Sequence, residues 1–285
     1  MKIALLGGAG IVGRVIARDL ALTSDVKEVI VADLNGAGAQ ATVDQVAPGD
    51  NRFKASGIDI TDRAALVKLL DGVDCTINSV QYYFNLEVMQ ACLAAGSHYV
   101  DLGGLFFTTR KQLELHRDFQ ARGLTAILGL GSCPGVANVQ AALAASRFDT
   151  IRAIKVYNGA TTDSQDSLAW PYSLFTILDE MTERPMVFRE GQFVDLNPLT
   201  EEEWFDFRLP IGHQITHLSL HSEVATLPLS YADKGIQDCF FKIHFFGYSE
   251  KAFRQLQFLT EVGLGAKTPV TVTAKVPGGE PAPVA

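Results

Sequence analysis

MKIALLGGAGIVGRVIARDLALTSDVKEVIVAD, residues 1–33, is the stretch that decides the fold. An apolar run from Ile3 to Leu6 leads into the glycine-rich segment Gly7–Gly13, and apolar residues then recur with helical spacing from Val12 onward. This order predicts a strand, a glycine turn and a helix. A second apolar run, Val29–Ala32, predicts the next strand, which ends at an acidic residue.

The glycines and the acid have the spacing of a dinucleotide site. Gly8, Gly10 and Gly13 form a G-x-G-x-x-G pattern, in which the backbone turns tightly and approaches a pyrophosphate that meets a helix N-terminus. Asp33 follows about 20 residues later, where a carboxylate that binds ribose is expected. A glycine-rich turn of another α/β protein is the alternative. The cofactor contacts predicted here are Gly8, Gly10, Ile11, Val12, Gly13 and Asp33.

The charge of Asp33 favours NAD over NADP. A carboxylate accepts hydrogen bonds from the 2′-hydroxyl of NAD but repels the 2′-phosphate of NADP, and Leu34–Gly36 contain no Arg to offset it. Further along, Ser79 is a predicted cofactor contact, and Asp59 with Ile60 is predicted on the adenine side. Asp59 has an equally plain alternative as a loop acid that caps the next helix.

The composition of the chain limits the classes of function. With 285 residues and 47% hydrophobic residues, it is long enough for two domains with a sizeable core. A net charge of -8 and the lack of a basic cluster argue against a nucleic-acid partner. No apolar run is long enough to span a membrane. The scattered cysteines suggest neither a disulfide framework nor a zinc site, which fits the cytoplasm; they are Cys75, Cys92, Cys133 and Cys239.

From Asp33 to residue 130, apolar runs alternate with helical patterns. This alternation predicts a Rossmann-like, doubly wound parallel sheet, the α/β architecture of an NAD(P)-binding domain over residues 1–130. The predicted strands lie near Phe53 and at Val73–Val80, His98–Asp101 and Leu124–Leu128, and the predicted helices are Ala37–Val46, Asn85–Ala95 and Thr108–Arg122.

After Thr150 the pattern changes to longer alternating strands, which predicts a second α+β domain over residues 131–270 for substrate binding and dimerisation. Residues 271–285, rich in Pro and Gly, are predicted to be a flexible tail. His213, His217 and His221 recur every four residues, but the residues between them fit a strand better than a metal-binding helix, so no metal site is predicted. The main predicted elements are the strands Ile151–Tyr157 and Ile236–Phe246, the hairpin Val187–Val194 and the helix Glu250–Val262.

Ligands of an open α/β sheet bind beyond the carboxyl ends of the strands. Three predicted strands end near a group that can carry a proton, and hydride transfer at a carbon bonded to nitrogen or oxygen needs such a partner. The candidates are Asp101, Tyr82 and Cys133, in that order. Asp101 comes first because it is a carboxylate at a strand end beside the glycine pair Gly103–Gly104, which leaves room for substrate.

Each candidate also has a purely structural interpretation. Tyr82 could be an aromatic plug, Asp101 a helix cap or loop acid, and Cys133 a small buried residue. Three arginines of the second domain could clamp a carboxylate of the substrate, although Arg is more often a solvated surface residue; they are Arg184, Arg189 and Arg208.

These motifs resemble the saccharopine dehydrogenase-like family, which includes saccharopine reductases, lysine 6-dehydrogenases and carboxynorspermidine dehydrogenases. The likeness covers most of residues 1–265. The segments that carry it are Gly8–Gly13, Tyr99–Asp101, Gly131–Asn138, Trp170–Pro171, Arg184–Pro185 and Arg189–Gly191.

The resemblance implies NAD(P)-dependent oxidation or reduction at a carbon that bears an amine, in an amino-acid-like substrate or a derived imine, as in lysine metabolism. We also expect a homodimer. Family members commonly carry Ala or Asp where Cys133 stands, and many continue for roughly another domain, so the resemblance leads us to expect a short member or a truncated one. The competing hypotheses are a reductase of carbonyls other than amino acids and a non-catalytic NAD-binding sensor or scaffold.

Overall fold

A computed structural model of the chain describes residues 1–22, 25–161, 172–245 and 250–264. The chain divides into two units, Met1–Gly247 and Tyr248–Ala285. In the second unit the described residues are the helix Glu250–Leu259, which continues as a π-helical turn over Thr260–Leu264. The predicted exit helix is therefore observed, whereas the predicted flexible tail at 271–285 lies outside the described residues.

The apolar runs of the first 130 residues form one parallel sheet. Its strands, in chain order, are β1 (Lys2–Leu6), β2 (Glu28–Asp33), β3 (Phe53–Gly57), β4 (Cys75–Asn78), β5 (His98–Asp101) and β6 (Ala126–Ile127). The spatial order is β3-β2-β1-β4-β5-β6. Successive strands are thus added on one side of β1 up to β3 and on its other side from β4 onward, so the strand order reverses between β1 and β4. This is the doubly wound order predicted from the sequence, with a crevice at the reversal point.

Helices cover both faces of this sheet, because alternate residues of each strand point to opposite sides. The helices are α1 (Ile11–Leu22), α2 (Gly36–Val46), α3 (Arg63–Leu69), α4 (Asn85–Ala95), α5 (Leu105–Glu114) and α6 (His116–Ala121). On β1, Ile3 and Leu5 pack with the helices α1 and α2, while Ala4 and Leu6 pack with α3, α4 and α6 on the other face. Gly96 ends α4 with a positive φ of 81°, the left-handed conformation that a glycine C-cap adopts.

Two elements differ from their predicted bounds. The single helix predicted over residues 108–122 starts earlier and is split at Leu115 into α5 and α6. The sixth strand, predicted over residues 124–128, is reduced to the two residues of β6. It ends early because Gly129 adopts a φ of +73° and its N–H donates to the side chain of Asp101 rather than to a strand.

The second half of the first unit forms a mixed sheet with its own helices. The elements are α7 (Val136–Ala145), β7 (Ala153–Gly159), α8 (Leu174–Thr182), β8 (Met186–Arg189), β9 (Gln192–Asp195), β10 (Glu203–Asp206), β11 (His213–Leu218), α9 (Glu223–Ser230) and β12 (Asp238–His244). The strand order is β10-β11-β12-β8-β9, and β7 pairs in parallel with β12. The predicted hairpin is observed as β8 and β9, and His213 and His217 lie on a strand as predicted.

The helix α9 joins this second sheet to the first. It packs on β8 and β12 and also contacts α5 and α7. Just before it, the hydroxyl of Ser222 accepts hydrogen bonds of 3.3 Å from the Gly104 N–H and from the Thr109 hydroxyl, both near the start of α5. The residues that precede α9 are thereby held at the carboxyl edge of the first sheet.

Among the described residues, no helix combines the length and the apolar character needed to cross a membrane.

Candidate active site

Of the three glycines of the G-x-G-x-x-G motif, Gly10 is the one at which an added Cβ would not overlap another atom. A Cβ at Gly8 would overlap the side chain of Val31, and a Cβ at Gly13 would overlap the carbonyl oxygen of Gly7. At Gly10 the nearest atom to an added Cβ is the Gly7 oxygen, at 3.2 Å. Gly8 and Gly13 therefore allow the strand, turn and helix to pack closely, while Gly10 keeps the surface above the N-terminus of α1 free of a side chain.

Asp33 ends β2 beside this turn. Its Oδ2 accepts a hydrogen bond of 3.0 Å from the Ala9 N–H, and its Oδ1 accepts one of 2.9 Å from the Asn35 N–H. The glycine turn, the N–H groups at the start of α1 and this carboxylate are the parts that a dinucleotide requires, so the residues fit such a cofactor.

A cleft of about 1360 Å³ runs along the carboxyl ends of the first sheet and reaches the second sheet. This volume exceeds the range of roughly 300–1,000 Å³ typical of small-molecule pockets, which leaves room for a dinucleotide together with a substrate. Of the predicted site residues, three do not line the cleft: Gly8, Gly13 and Asp101. Those that do are Gly10, Ile11, Val12, Asp33, Asp59, Ile60, Ser79, Tyr82 and Cys133.

Two of the predicted cofactor contacts also have local structural partners. Ser79 follows β4, and its hydroxyl donates a hydrogen bond of 2.7 Å to the carbonyl oxygen of Leu6, which ties the ends of β4 and β1 together. Asp59 accepts hydrogen bonds from the hydroxyl and the N–H of Thr61, which lower the pKa of its carboxyl group. The cap of α3 is Asp62 rather than Asp59.

Asp101, our first candidate for proton transfer, is buried beneath the cleft and is 1% exposed. Its Oδ1 accepts hydrogen bonds from the Gly103 and Gly129 N–H groups, at 2.9 and 2.7 Å. Its Oδ2 accepts from the side chains of Tyr99, Gln112 and Asn85, at 2.9, 2.6 and 3.2 Å. Burial raises the pKa of Asp101, and these donors oppose the shift.

This arrangement argues against the catalytic role that we predicted for Asp101. Five donors from four segments of the first sheet and its helices already occupy both carboxylate oxygens. A side chain so enclosed cannot exchange a proton with a substrate without breaking the junction that it holds together.

Tyr82 lines the cleft, but its hydroxyl proton is already engaged. The hydroxyl donates a hydrogen bond of 2.8 Å to Oδ2 of Asp179 on α8, and the hydroxyl of Tyr83 donates to the same oxygen. Burial, together with the neighbouring carboxylate, raises the pKa of Tyr82 far above its usual value. The pair of tyrosines thus links the loop after β4 to α8.

Cys133 also lines the cleft, in the glycine-rich loop before α7. Burial, and then the nearby Glu223 carboxylate, raise the pKa of its thiol to about 12. The thiol is therefore protonated at neutral pH, and the residue cannot serve as a thiolate base.

The second sheet contributes ionisable groups that sequence reasoning did not select. Glu180 on α8 is 3% exposed, yet it lines the cleft together with Tyr172 and His221. The Tyr172 hydroxyl donates a hydrogen bond of 2.6 Å to Oε2 of Glu180. The Nε2 atom of His221 lies 3.9 Å from Oε1 of Glu180, and its Nδ1 atom bonds with Oε2 of Glu223.

The protonation of this cluster is strongly perturbed. Burial raises the pKa of Glu180 to about 7, although His221 and the Tyr172 hydrogen bond oppose the shift. Burial by itself lowers the pKa of His221, but attraction to Glu223, its hydrogen bond and the charge of Glu180 together outweigh burial and raise the pKa. Perturbed groups that face a cleft are typical of functional sites.

The charged side chains that line the cleft are mainly acidic. Of the described residues that line it, none is Lys or Arg, while Asp33, Asp59 and Glu180 are acidic. The arginines that we considered as carboxylate clamps do not line it. Arg184 donates to Asp195 and Asn197, Arg189 pairs with Glu201, and Arg208 is exposed.

Sequence patterns gave little sign of Glu180, Tyr172 and His221. His221 stood out only as the last of three regularly spaced histidines, and it comes two residues after a buried serine beyond the end of β11. Its partner Glu180 is 41 positions away in the sequence. Their proximity follows from the packing of α8 beside the segment between β11 and α9, as the hydrogen bond from the Ser219 hydroxyl to the Glu180 carbonyl oxygen records.

A doubly wound parallel sheet, an open glycine turn and an acid at the end of β2 define the class of dinucleotide-binding folds. Within this class, residues 3–127 match the family model of the saccharopine dehydrogenase NADP-binding domain. The resemblance inferred from the sequence is thereby confirmed, and an NAD(P) cofactor is supported.

Two curated proteins and one solved structure extend the likeness. The chain is 28% identical over 235 residues to carboxyaminopropylagmatine dehydrogenase of Synechocystis sp., which covers 78% of this chain and 58% of that protein. It is 26% identical over 285 residues to carboxynorspermidine synthase of Vibrio cholerae, which covers 93% of this chain and 67% of that protein. Saccharopine dehydrogenase (L-Glu forming) of Saccharomyces cerevisiae shares the fold with a TM-score of 0.68 and 18% identity, over 93% of this chain and 59% of that one.

Proposed function

We propose that this protein is an NAD(P)-dependent oxidoreductase that acts on a carbon–nitrogen bond. The observation that carries the proposal is one continuous cleft, which runs from the glycine turn and Asp33 to the buried ionisable groups Glu180 and His221. The cofactor, when bound, supplies or accepts the hydride. The chain supplies the binding surface, the exclusion of water and the handling of the proton.

The residues proposed to hold the cofactor are those of the first sheet. Gly10 and the N–H groups of Ile11 and Val12 would receive the pyrophosphate at the start of α1. Asp33 would accept hydrogen bonds from a ribose hydroxyl, and its negative charge supports NAD over NADP. Asp59, Ile60 and Ser79, which also line the cleft, remain proposed contacts.

The proposed catalytic set changes in the light of the site geometry. Tyr82 and Cys133 stay in it as groups that line the cleft and contact the substrate. Asp101 is proposed to be structural instead, because its carboxylate is enclosed by five donors.

An amine-containing substrate is supported by the names of two relatives, carboxyaminopropylagmatine dehydrogenase and carboxynorspermidine synthase. The chain spans 58% of the length of the first and 67% of the second. We therefore propose a substrate class for this chain and do not assign it the substrates of these relatives. We propose an amine or a derived imine, with amino-acid adducts among the compounds to be tried.

A two-stage experiment tests the function. Titration with NAD and NADP, followed by protein fluorescence, measures whether and which cofactor binds. Turnover is then followed by nicotinamide absorbance with lysine, saccharopine and polyamines as substrates, in both reaction directions. Cofactor binding without turnover of any compound would favour a sensor or scaffold, and turnover of simple carbonyl compounds alone would favour a carbonyl reductase.

Assembly, location and domain organisation remain part of the proposal. We propose a homodimer in the cytoplasm without a nucleic-acid partner, and the net charge of -8 supports the last point. We also propose that residues 1–130 form the cofactor domain and residues 131–270 the substrate and dimerisation domain. The change from the parallel to the mixed sheet between β6 and β7 supports this division. Light scattering coupled to gel filtration would measure the number of subunits.

A further inference from the structure

One carboxylate stands out on the wall of the cleft that the second sheet provides. Glu180 lines the cleft but is almost wholly buried, at 3% exposure. The hydroxyl of Tyr172 holds its Oε2 at 2.6 Å. Its Oε1 lies 3.9 Å from Nε2 of His221, which is too far for a hydrogen bond. The carboxylate is thus fixed in orientation by one oxygen, while the other is close to the His221 ring without being hydrogen-bonded to it.

The charges around Glu180 do not balance. His221 lies between two carboxylates, Glu180 and Glu223, and can carry at most one positive charge. Glu223 is fully buried, and its Oε1 has no hydrogen-bond partner among the described residues. The described lining of the cleft adds no Lys or Arg. An excess negative charge in a buried cluster is costly unless a proton or another cation neutralises it.

We propose that Glu180 binds the protonated nitrogen of an amine substrate and accepts its proton, with His221 and Glu223 as the positioning residues. The proposal rests on the proposed function and adds to it the residue that recognises the reacting group. It also narrows the substrate class, because the described lining of the cleft is acidic, which favours a cationic amine, and contains no arginine to bind a carboxylate.

The proposed step balances in both directions. In oxidation, the ammonium nitrogen gives one proton to the Glu180 carboxylate, and a hydride leaves the adjacent carbon for oxidised NAD(P) as the carbon–nitrogen double bond forms. The products are an iminium ion, the reduced cofactor and a protonated Glu180. In reduction, the carbon of the iminium ion receives the hydride, and the nitrogen of the resulting amine takes one proton from Glu180 to become an ammonium group.

The protonation behaviour of the cluster agrees with this role. Burial raises the pKa of Glu180 to about 7, so the group can both accept and return a proton near neutral pH. His221 opposes that rise. Without the neighbouring ring, the carboxyl group would hold its proton to a higher pH, so less of it would be present as carboxylate near neutral pH to bind an ammonium group.

The first test measures binding rather than turnover. The NAD-loaded protein is titrated by calorimetry at pH 8 with putrescine, a diamine, and with glutarate, a dicarboxylate of similar length. We expect putrescine to bind and glutarate not to bind. Glu180→Gln keeps the shape of the side chain but removes the charge, and should weaken putrescine binding at least about tenfold. Glu114→Gln, which changes an exposed glutamate of α5, is the matched control and should bind as the wild type does.

The second test asks whether His221 positions Glu180 and tunes its pKa or has only a structural role. Putrescine affinity of the wild type should fall as the pH drops below about 7, because Glu180 becomes protonated. In His221→Gln the midpoint of this fall should move to higher pH, since the opposing positive charge is gone. A residue with only a structural role would change the affinity without moving the midpoint.

The outcomes are distinct from those of the proposed function. Failure to bind either NAD or NADP would refute the cofactor assignment itself. Normal cofactor binding with glutarate preferred to putrescine, with neither probe bound, or with putrescine bound equally well by Glu180→Gln would overturn the role of Glu180 and leave the cofactor site intact.

Discussion

The regions around Asp101 and Glu180 each bury a carboxylate, but they differ in what surrounds it. Asp101 is 1% exposed and receives five hydrogen bonds from the first sheet and its helices. Glu180 is 3% exposed and receives one from Tyr172, with His221 at 3.9 Å. The first carboxylate is saturated by donors, whereas the second lines the cleft.

This difference shows that burial and position at a strand end are not enough to indicate catalysis. A carboxylate with a full set of donors stabilises the fold, since its proton affinity is already set by fixed partners. A carboxylate with few donors and an open side can exchange a proton with a ligand. The predictions below test this contrast.

The largest effect is expected from Asp101→Asn. The amide NH₂ group would face donors instead of accepting from them, so several buried groups would lose their partner. We expect a loss of about 3 kcal/mol or more in the free energy of unfolding, or roughly 6–12 °C in Tm. Thermal unfolding measures it, with the exposed Asp71→Asn as control. A stable Asp101→Asn protein that had lost only kcat would restore Asp101 as a catalytic residue.

The raised pKa of Glu180 should make the stability of the folded protein depend on pH. Its pKa is raised from 4.5 to about 7 in the folded state, so the folded protein holds the proton more tightly than the unfolded chain does. Stability is therefore greatest below the unfolded value and falls as the pH rises through about 7. The raised pKa of His221 has the same sign, because its contribution is lost as the pH rises through its folded value.

We accordingly expect Tm of the wild type to fall between pH 5 and pH 8, by an amount equivalent to at most about 3 kcal/mol for Glu180. Glu180→Gln should show a flatter dependence, since it lacks the titrating group. Scanning calorimetry at a series of pH values measures both curves. Parallel curves would mean that Glu180 does not titrate in this range.

The next effect concerns the cofactor end of the cleft. Gly10→Val should lower NAD(P) affinity at least about 100-fold, because the new side chain projects over the start of α1 where the pyrophosphate is expected, and should lower Tm less than a substitution at Gly13 does, since its Cβ lies 3.2 Å from the Gly7 oxygen rather than overlapping it. Gly13→Ala is the contrasting variant and should destabilise the fold, since its Cβ would overlap the Gly7 carbonyl oxygen. Fluorescence titration and thermal unfolding compare the two. Equal NAD(P) affinity in Gly10→Val and wild type would show that the cofactor does not bind beside Gly10.

A smaller effect is expected for cofactor choice. Asp33→Ala should reduce the ratio of NAD to NADP affinity by about tenfold, because the repulsion of the 2′-phosphate is removed. The same variant loses the hydrogen bond from the Ala9 N–H, so some weakening of both cofactors is expected. Asp33→Asn is a useful control that retains an acceptor oxygen. A wild-type protein that prefers NADP would contradict the proposed contact between Asp33 and the ribose.

The smallest effect is expected from Arg184→Ala. Its ion pair with Asp195 is half exposed on both sides, and exposed pairs contribute about 0–1 kcal/mol. Cofactor affinity, substrate affinity and kcat should all stay within about twofold of the wild type. A rise in KM for a carboxylate substrate by tenfold or more would show that the arginine reaches the substrate after all.

The sequence by itself determined the first sheet and the cofactor end of the cleft. Strand β1, the glycine turn, α1 and Asp33 are neighbours in the chain, and the sterics of glycine and the period of apolar residues act over a few positions. The hairpin of β8 and β9 was predicted for the same local reason. The bounds of α5 and β6 were not, because Leu115 and Gly129 respond to packing and to the side chain of Asp101.

The tertiary structure alone decided which acid faces the cleft. Asp101 and Glu180 are both acidic residues, and the sequence does not show which of them faces the cleft. The donors that enclose Asp101 come from residues as far apart as Asn85 and Gly129. The partners of Glu180, Tyr172 and His221, lie on separate segments that meet only when α8 packs beside the residues before α9. Proton affinity depends on burial and on neighbours in space, and neither of these is a property of short sequence patterns.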